Sequence, residues 1–498
     1  MIKFRRFLLL LALLALLFFG AVIYWLDNEG ITPRSLGPYI ERRASGHNPA
    51  IELIGRQSNA ILQALDRGRH DLPARDWQGV VGVQPVLPAM PAPASRRVVV
   101  ADNAGMVRAI ATAVPGDSIL LLPGTYRVNQ VVPAYRPGTT EAPIVVRAEC
   151  PGSVRIEIDA NEGFRVSAPF WRFENLSIYG ACHGGSRCEH AFHVVGNAHH
   201  FTAINNLIVD FDAHFKVNGE RGHYPDHGEI LSNTLRNDSP RLSNRPVTPI
   251  DLVTVNNWII RHNLITDFIK ASGDRISYGA FAKGGGADNL FEQNVVICEH
   301  RLRGMRGQRI GLSLGGGGTG KEYCRDGKCI TEQTGGILRA NLVASCSDDG
   351  IYLNAAARSS LLHNTLVDTG GITVRFPESS ATIDGNLVDG IIRSRDGGLL
   401  RLGDNRFNAA ASLYLGLHPV RALFREPLAF DFGWRDEPAE RKLQAGAVPD
   451  LCGAPRSGQP RLGAFDDFDA CLHRDERTPV KDAVQASPGT TVNLRKMQ

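Results

Sequence analysis

No block of lysine or arginine occurs after residue 6, and the 498-residue chain carries a net charge of only +4. Charges of both signs are mixed along it, which argues against a nucleic-acid partner. CxxC spacing is missing as well. The nine cysteines therefore do not read as a metal site, and in an exported chain they read as disulfide formers with an odd one left over. Cys182 and Cys188 bracket one glycine-rich loop, Cys324 and Cys329 another, and each pair is expected to close a local bridge.

Charge is also absent from Phe7 to Leu26, a leucine-rich run preceded by Lys3, Arg5 and Arg6. About 20 such residues suffice to span a bilayer. The run closes with Tyr24, Trp25 and Leu26, not with the small-x-small site of a cleavable signal, so an uncleaved anchor is expected. Basic residues ahead of the span put the N-terminus in the cytoplasm and the rest outside; in a bacterium that is the inner membrane and the periplasm. Residues 27–97 then read as a stalk, with one helix starting near Asn48-Pro49 and a proline-rich spacer from Val83 to Ser95.

The remainder repeats itself. IIRHNLITDF at Ile259 has relatives throughout, and aligning them gives Asn175, Asn206, Asn233, Asn263, Asn294, Asn341, Asn364 and Asn386. A period in the twenties to low thirties means stacked supersecondary units. Each copy holds two short apolar runs separated by turn residues and no segment long enough for a three-turn helix, so the units are strands and turns. Leucine-rich repeats are excluded by the missing L-x-x-L-x-L pattern. The expected fold is all-β, a right-handed parallel β-helix over residues 98–410, roughly 40 Å long for nine coils at 4.8 Å each. Residues 411–498 form a C-terminal extension with a capping strand and an irregular tail. Asparagines at one turn of successive coils can stack and satisfy the bend, which makes them scaffold.

Chemistry is then expected on the first run of each copy, whose alternate positions point outward. With Phe164, Phe192, Phe215, Val253, Leu312, Ile351 and Ile372 inward, Arg165, His193, Lys216, Thr254, Ser313, Tyr352 and Thr373 face out. Burying an unpaired ammonium costs more than exposing one aromatic ring, so Lys283 is put outward, level with Asn256 and Asn354. Lys216, Asn218, Thr254, Asn256, Lys283, Tyr352, Asn354 and Arg375 would then form a polar stripe suited to an extended acidic polysaccharide. HYPDHGE, with His223, Asp226, His227 and Glu229, is the densest titratable cluster and the alternative site.

The segments PGDSILLLPGTYRV (Pro115–Val128), APIVVRAE and FWRFENLSIYG resemble the opening of the family-six polysaccharide lyases, the family of chondroitinase B and alginate lyases. PDLCGAPRSGQPRLGAFDD from Pro449 is similar to the closing stretch of many bacterial β-helix proteins. The resemblance implies proton abstraction beside a uronate carboxyl by a lysine, with an arginine on the next coil and calcium on the carboxylate. Lys283 falls where the family's arginine would be and Asn256 where its lysine would be. Asp251 matches one acidic calcium ligand, while Pro249 occupies the place of the other.

Two functions follow. One is uronate β-elimination, with Lys283 as the chief catalytic residue, Asn256 and Asp251 on the carboxylate directly or through calcium, and Arg301 and Arg303 in reserve. The other is glycan binding or assembly without catalysis. An enzyme should gather titratable residues at one spot, and a binder should spread them along the rod.

Overall fold

In the computed structural model the described residues are 2–67, 77, 81–85, 95–182, 187–316, 318–438, 440–441, 449–454, 456 and 460–472. From Arg96–Val100 to Arg406–Phe407 the chain coils through three parallel sheets of 12, 11 and 10 strands. This is the parallel β-helix, and each coil contributes one strand to each sheet in turn.

The repeated phrase is two strands, not the one expected. Ile259–Arg261 lies in the 12-stranded sheet and Leu264–Thr266 in the 11-stranded sheet. Between them His262 takes φ 56° and Asn263 follows it. Two residues suffice for this corner because the first enters the left-handed region and the second supplies its own amide to the backbone.

Each ladder asparagine accepts from the preceding coil and donates forward. Asn263 receives the Asn233 backbone N–H at 2.9 Å and the Asn233 Nδ2 at 3.1 Å, and its own Nδ2 donates to Asn294 Oδ1 at 3.0 Å and to Ile230 O at 2.8 Å. The column runs from Asn206 to Asn386 and ends on Asn405. Asn175 is not in it. Leu176 holds that level, donating its N–H to Asn206 Oδ1, while Asn175 is the left-handed residue one step earlier.

The core is the inside of the coil, where Phe164, Phe192 and Phe215 stack with centroids 5.2 Å apart. Helix Asn103–Ala111 places Met106 and Ile110, both fully buried, in this core at the N-terminal end. Four disulfides form: the two expected local ones, Cys182–Cys188 and Cys324–Cys329, together with Cys298–Cys346 and Cys452–Cys471; Cys150 is free and exposed.

The segment read as a stalk is corrected by its contacts. Helix α1 spans Ile2–Asn28, and α2 (Pro33–Ala44) and α3 (Pro49–Arg67) form an antiparallel pair. This pair does not stand apart from the rod. Arg34, 2% exposed, bonds Asp66 within the pair and reaches Asp368 at 2.7 Å and the Cys346 carbonyl in the late coils. A buried guanidinium is held only where its donors are satisfied, so this contact is specific. Residues 86–94 of the proline-rich spacer and the tail after 472 lie outside the described residues. Among the described residues no helix is long and apolar enough to cross a membrane.

Candidate functional site

The outward face of the 10-stranded sheet carries two columns of side chains. Strand register puts Arg165, His193, Lys216, Asp251, Phe281, Ser313, Tyr352 and Thr373 level on successive coils. A second column holds Asn218, Val253 and Lys283, and, further along, Asn354 and Arg375.

This corrects the expected register at one coil. Ile250 and Leu252 point inward, fully buried, and Val253 is level with Asn218 and Lys283. Leu252 and Val253 are both apolar, so the sequence pattern alone allows either to face the core. Thr254 falls past the strand in a left-handed turn, where Gly219 N–H donates to its Oγ1 at 2.8 Å. Asn256 lies two residues further on, accepting from Ala287 N–H at 2.8 Å. Neither lies level with Lys283.

Asp251 thereby joins the face, and the early coils hold two bonded groups side by side. Lys216 Nζ donates to Asp251 Oδ2 at 2.7 Å. His193 contacts Glu162 Oε1 at 2.9 Å through Nδ1 and Asn218 Oδ1 at 2.9 Å through Nε2. Arg165 places NH1 3.1 Å from His193 Nδ1 and donates NH2 to Glu220 Oε1 at 2.7 Å. Since Asn218 Nδ2 donates to Gly219 O, its Oδ1 is the acceptor and His193 Nε2 carries the proton.

Burial alone would raise the Glu162 carboxyl, but its hydrogen bond to His193, the charge of that ring and Arg165 hold it at about 2. Burial, then the His193 and Lys216 charges, push His190 down to about 3. Glu162 is therefore anionic and His190 neutral near pH 7.

Glu162, His190 and His193 were not among the nominated site residues. Strict alternation would turn Glu162 and His190 inward with Phe164 and Phe192. Instead Gly163 and Ala191 are also buried, which breaks the alternation and turns the preceding residue outward. Two consecutive small-then-aromatic pairs at a strand start were the available signal.

Lys283 lies outward as expected, its Nζ 4.5 Å from the Phe281 ring centroid. Among the described residues it forms no ion pair. Further along, Arg375 donates to Tyr352 Oη at 3.2 Å and to Asp396 at 2.6 Å, and Asn354 Nδ2 lies 3.4 Å from the same hydroxyl. Burial and the neighbouring Asp348 push Asp349, behind this group, up to about 7.

Arg301 and Arg303 are not brought to the stripe. They lie in the loop before Gln308–Leu314, Arg301 directed to Asp238 and Arg303 to the His300 carbonyl and the Phe430 ring. The alternative cluster is likewise dispersed. Asp226 is clamped by Arg325 at 2.7 and 2.8 Å, and His227 stacks on His200, which stacks on Phe170. Glu229 belongs to the 12-stranded sheet, and the His223 backbone closes a turn with Glu220. Each has a structural partner, and no common point unites them.

Calcium takes six to eight oxygen ligands. Asp251 offers one oxygen, Oδ1, which is buried without a partner, but its other oxygen is held by an ammonium and its neighbours in the column are Lys216 and Phe281. This donor set does not fit calcium.

One family model matches part of this face. Residues 100–218 match the chondroitinase B family model. The match covers under a quarter of the chain, takes in the lyase-like opening segments, and extends through Glu162, Arg165, His190, His193, Lys216 and Asn218. Asp251 and Lys283 fall outside it. No curated protein matches the chain.

Similar solved structures include the pectate lyase Pel9A, with 15% identity over 76% of this chain and 97% of that one and a TM-score of 0.48. An alginate lyase from Paenibacillus sp. str. FPU-7 is 15% identical over 63% and 96%, with a TM-score of 0.37. A mannuronic acid specific polysaccharide family 6 lyase from human gut microbiota is 16% identical over 62% and 68%, with a TM-score of 0.39.

Proposed function

We propose that the protein acts on a uronate-containing polysaccharide laid along this outward face, by β-elimination. The observation that carries the reading is the column Arg165, His193, Lys216 and Asp251, level on four successive coils by strand register, with Lys283 one coil further. A polymer running along the rod meets a new coil about every 4.8 Å. Arg165 and Lys216 then offer cationic donors to successive carboxylates, and neutralising a carboxylate is what makes the adjacent C–H acidic enough to lose its proton.

Lys283 takes that proton in this scheme. Lys216 Nζ is bonded to Asp251, whereas Lys283 forms no ion pair among the described residues, which leaves its amine to meet the substrate. The C5–H electron pair becomes the C4=C5 double bond, and the bond from C4 to the glycosidic oxygen breaks with its pair staying on that oxygen, which takes a proton from water to become the new chain end. Asn218, beside His193, and Tyr352, Asn354 and Arg375 further along would hold neighbouring sugars.

The same proposal keeps the uncharged run Phe7–Leu26 as a single-pass anchor in a bacterial inner membrane with the rod in the periplasm, a reading supported by the sequence, with Lys3, Arg5 and Arg6 ahead of a leucine-rich run. Membrane fractionation and protease protection would test that part.

Glycan binding without turnover is the second reading, favoured by the spread of Tyr352, Asn354 and Arg375 away from the early groups. Incubation with alginate, chondroitin, hyaluronan and pectate, followed by the absorbance of the unsaturated uronate, separates the two. Binding with no new absorbance on any polymer selects the second reading, and neither binding nor absorbance overturns both.

A further inference from the structure

Glu162, His190 and His193 form the one group of three metal-ligating side chains among the described residues whose donor atoms all lie within 4.8 Å of one another. In a tetrahedral zinc site such atoms lie roughly 3.4 Å apart, given bonds of about 2.0–2.1 Å. Glu162 and His190 are register partners on adjacent coils and His193 follows on the same strand, so all three side chains leave neighbouring backbone positions.

The contacts of the three side chains suit a metal. His193 Nε2 donates toward Asn218 Oδ1, and Nδ1, 2.9 Å from Glu162 Oε1, is the ring nitrogen an ion would take in place of that hydrogen bond. A ring N–H held by an outer acceptor is the usual way a ligating histidine is oriented. His190 Nδ1 is buried with no hydrogen-bond partner. Imidazole donors select against calcium and magnesium, which take oxygen ligands.

One group opposes the ion. Arg165 NH1 stands 3.1 Å from His193 Nδ1 and 3.4 Å from Glu162 Oε2, where a cation would sit. Its NH2 is already on Glu220, and the side chain is one-third exposed, so the guanidinium can swing outward without being left unpaired. Glu189 and Asp251 add negative charge nearby, while Lys216 and Arg245 offset part of it.

We propose that Glu162, His190 and His193 bind one divalent transition-metal ion of the zinc type, and that Arg165 is its displaceable competitor. The ion would leave a fourth position open toward the face. The site shares His193 and Arg165 with the proposed carbohydrate surface but does not depend on any activity there.

Full-length protein in detergent, freed of metal with a chelator and carrying Cys150→Ser to remove the free thiol, is titrated with zinc chloride by equilibrium dialysis. One zinc per chain is expected. His190→Gln and His193→Gln should each weaken it by about a hundredfold, and Asn218→Ala by about tenfold through the loss of ring orientation. Arg165→Gln should bind more tightly than the parent, and His227→Gln should be unchanged. Cobalt chloride should give the visible spectrum of a tetrahedral ion in the parent alone and not in His193→Gln. Thermal unfolding of each variant checks folding, and Glu162→Gln, expected to lose about tenfold, repeats the comparison should a histidine variant unfold. No zinc in the parent, undiminished zinc in both histidine variants, or weaker binding in Arg165→Gln would each overturn the proposal.

Discussion

The asparagine corner and the outward face are built by the same stacking of coils, yet they use it in opposite ways. At the corner one residue type recurs, every amide from Asn206 to Asn386 is buried, and each of these donates to the asparagine of the next coil. On the face the residue changes at every level, from guanidinium to imidazole to ammonium to carboxylate, and some atoms are left without partners, among them Asp251 Oδ1 and His190 Nδ1. Identical, satisfied groups make a scaffold that gains nothing from a ligand. Differing, incompletely satisfied groups make a surface that does.

The largest effect should come from breaking the corner. Asn294→Ala would take the side-chain acceptor from the buried Asn263 N–H and remove one bond each from Asn263 Nδ2, the Ile260 carbonyl and Asn341 Oδ1. A buried unsatisfied group costs about 1–3 kcal/mol, so a loss of about 4 kcal/mol is expected in denaturant unfolding. Asn405→Ala, at the part-exposed end of the column, should cost about 1 kcal/mol. Equal costs would mean that the column does not act as a chain of shared bonds.

Lys216→Ala should show that the face is not wholly free of structural duty. It leaves the Asp251 carboxylate, 4% exposed, without its ammonium. Stranding a buried charge is strongly destabilising, but Lys216 is itself about a quarter exposed and water can enter, so about 2 kcal/mol is expected. The double variant Lys216→Met with Asp251→Asn should recover most of it. Failure to recover would mean that Lys216 supports the fold through its stem and not its charge.

Acid should act next. In the unfolded chain His190 gains a proton near pH 6.5, while in the fold it stays neutral until about 3, so the unfolded state binds more protons throughout that window. Stability is therefore present above pH 6.5 and is lost as pH falls toward 3. His214, also held to about 3, and His363, held to about 4, act in the same direction, each chiefly through burial. Glu162 adds a further loss as pH falls from about 4.5 to about 2. His190→Gln should flatten the decline in urea midpoint between pH 7 and 4, and an unchanged slope would remove His190 from this account.

What was legible in the sequence follows the same divide. The corner announced itself because one amide recurs at one period, and the outward setting of Lys283 followed from the cost of burying an ammonium. The slip at Val253 was not legible because Leu252 and Val253 are equally apolar, and Glu162 and His190 were hidden by a local break in alternation. Nor could local pattern show Arg34 reaching Asp368, since that bond joins residues 334 positions apart.

Lys283→Ala is the smallest expected change in stability and the sharpest test of the division between scaffold and surface. The side chain leaves an outward strand position, so no core volume is lost, and no described carboxylate is stranded. What disappears is an ammonium 4.5 Å from the Phe281 centroid, an interaction worth about 0.5–1 kcal/mol when partly exposed. The urea midpoint should barely move, in contrast to Lys216→Ala two coils earlier. Turnover of the polymer identified by the screen should nevertheless fall by at least about a hundredfold, since a positioned proton acceptor contributes roughly 10²–10⁴ in rate, while polymer binding falls much less. Should turnover survive in Lys283→Ala and vanish in His193→Gln, proton transfer belongs to the early groups, and Lys283 is a contact for the chain's next sugar.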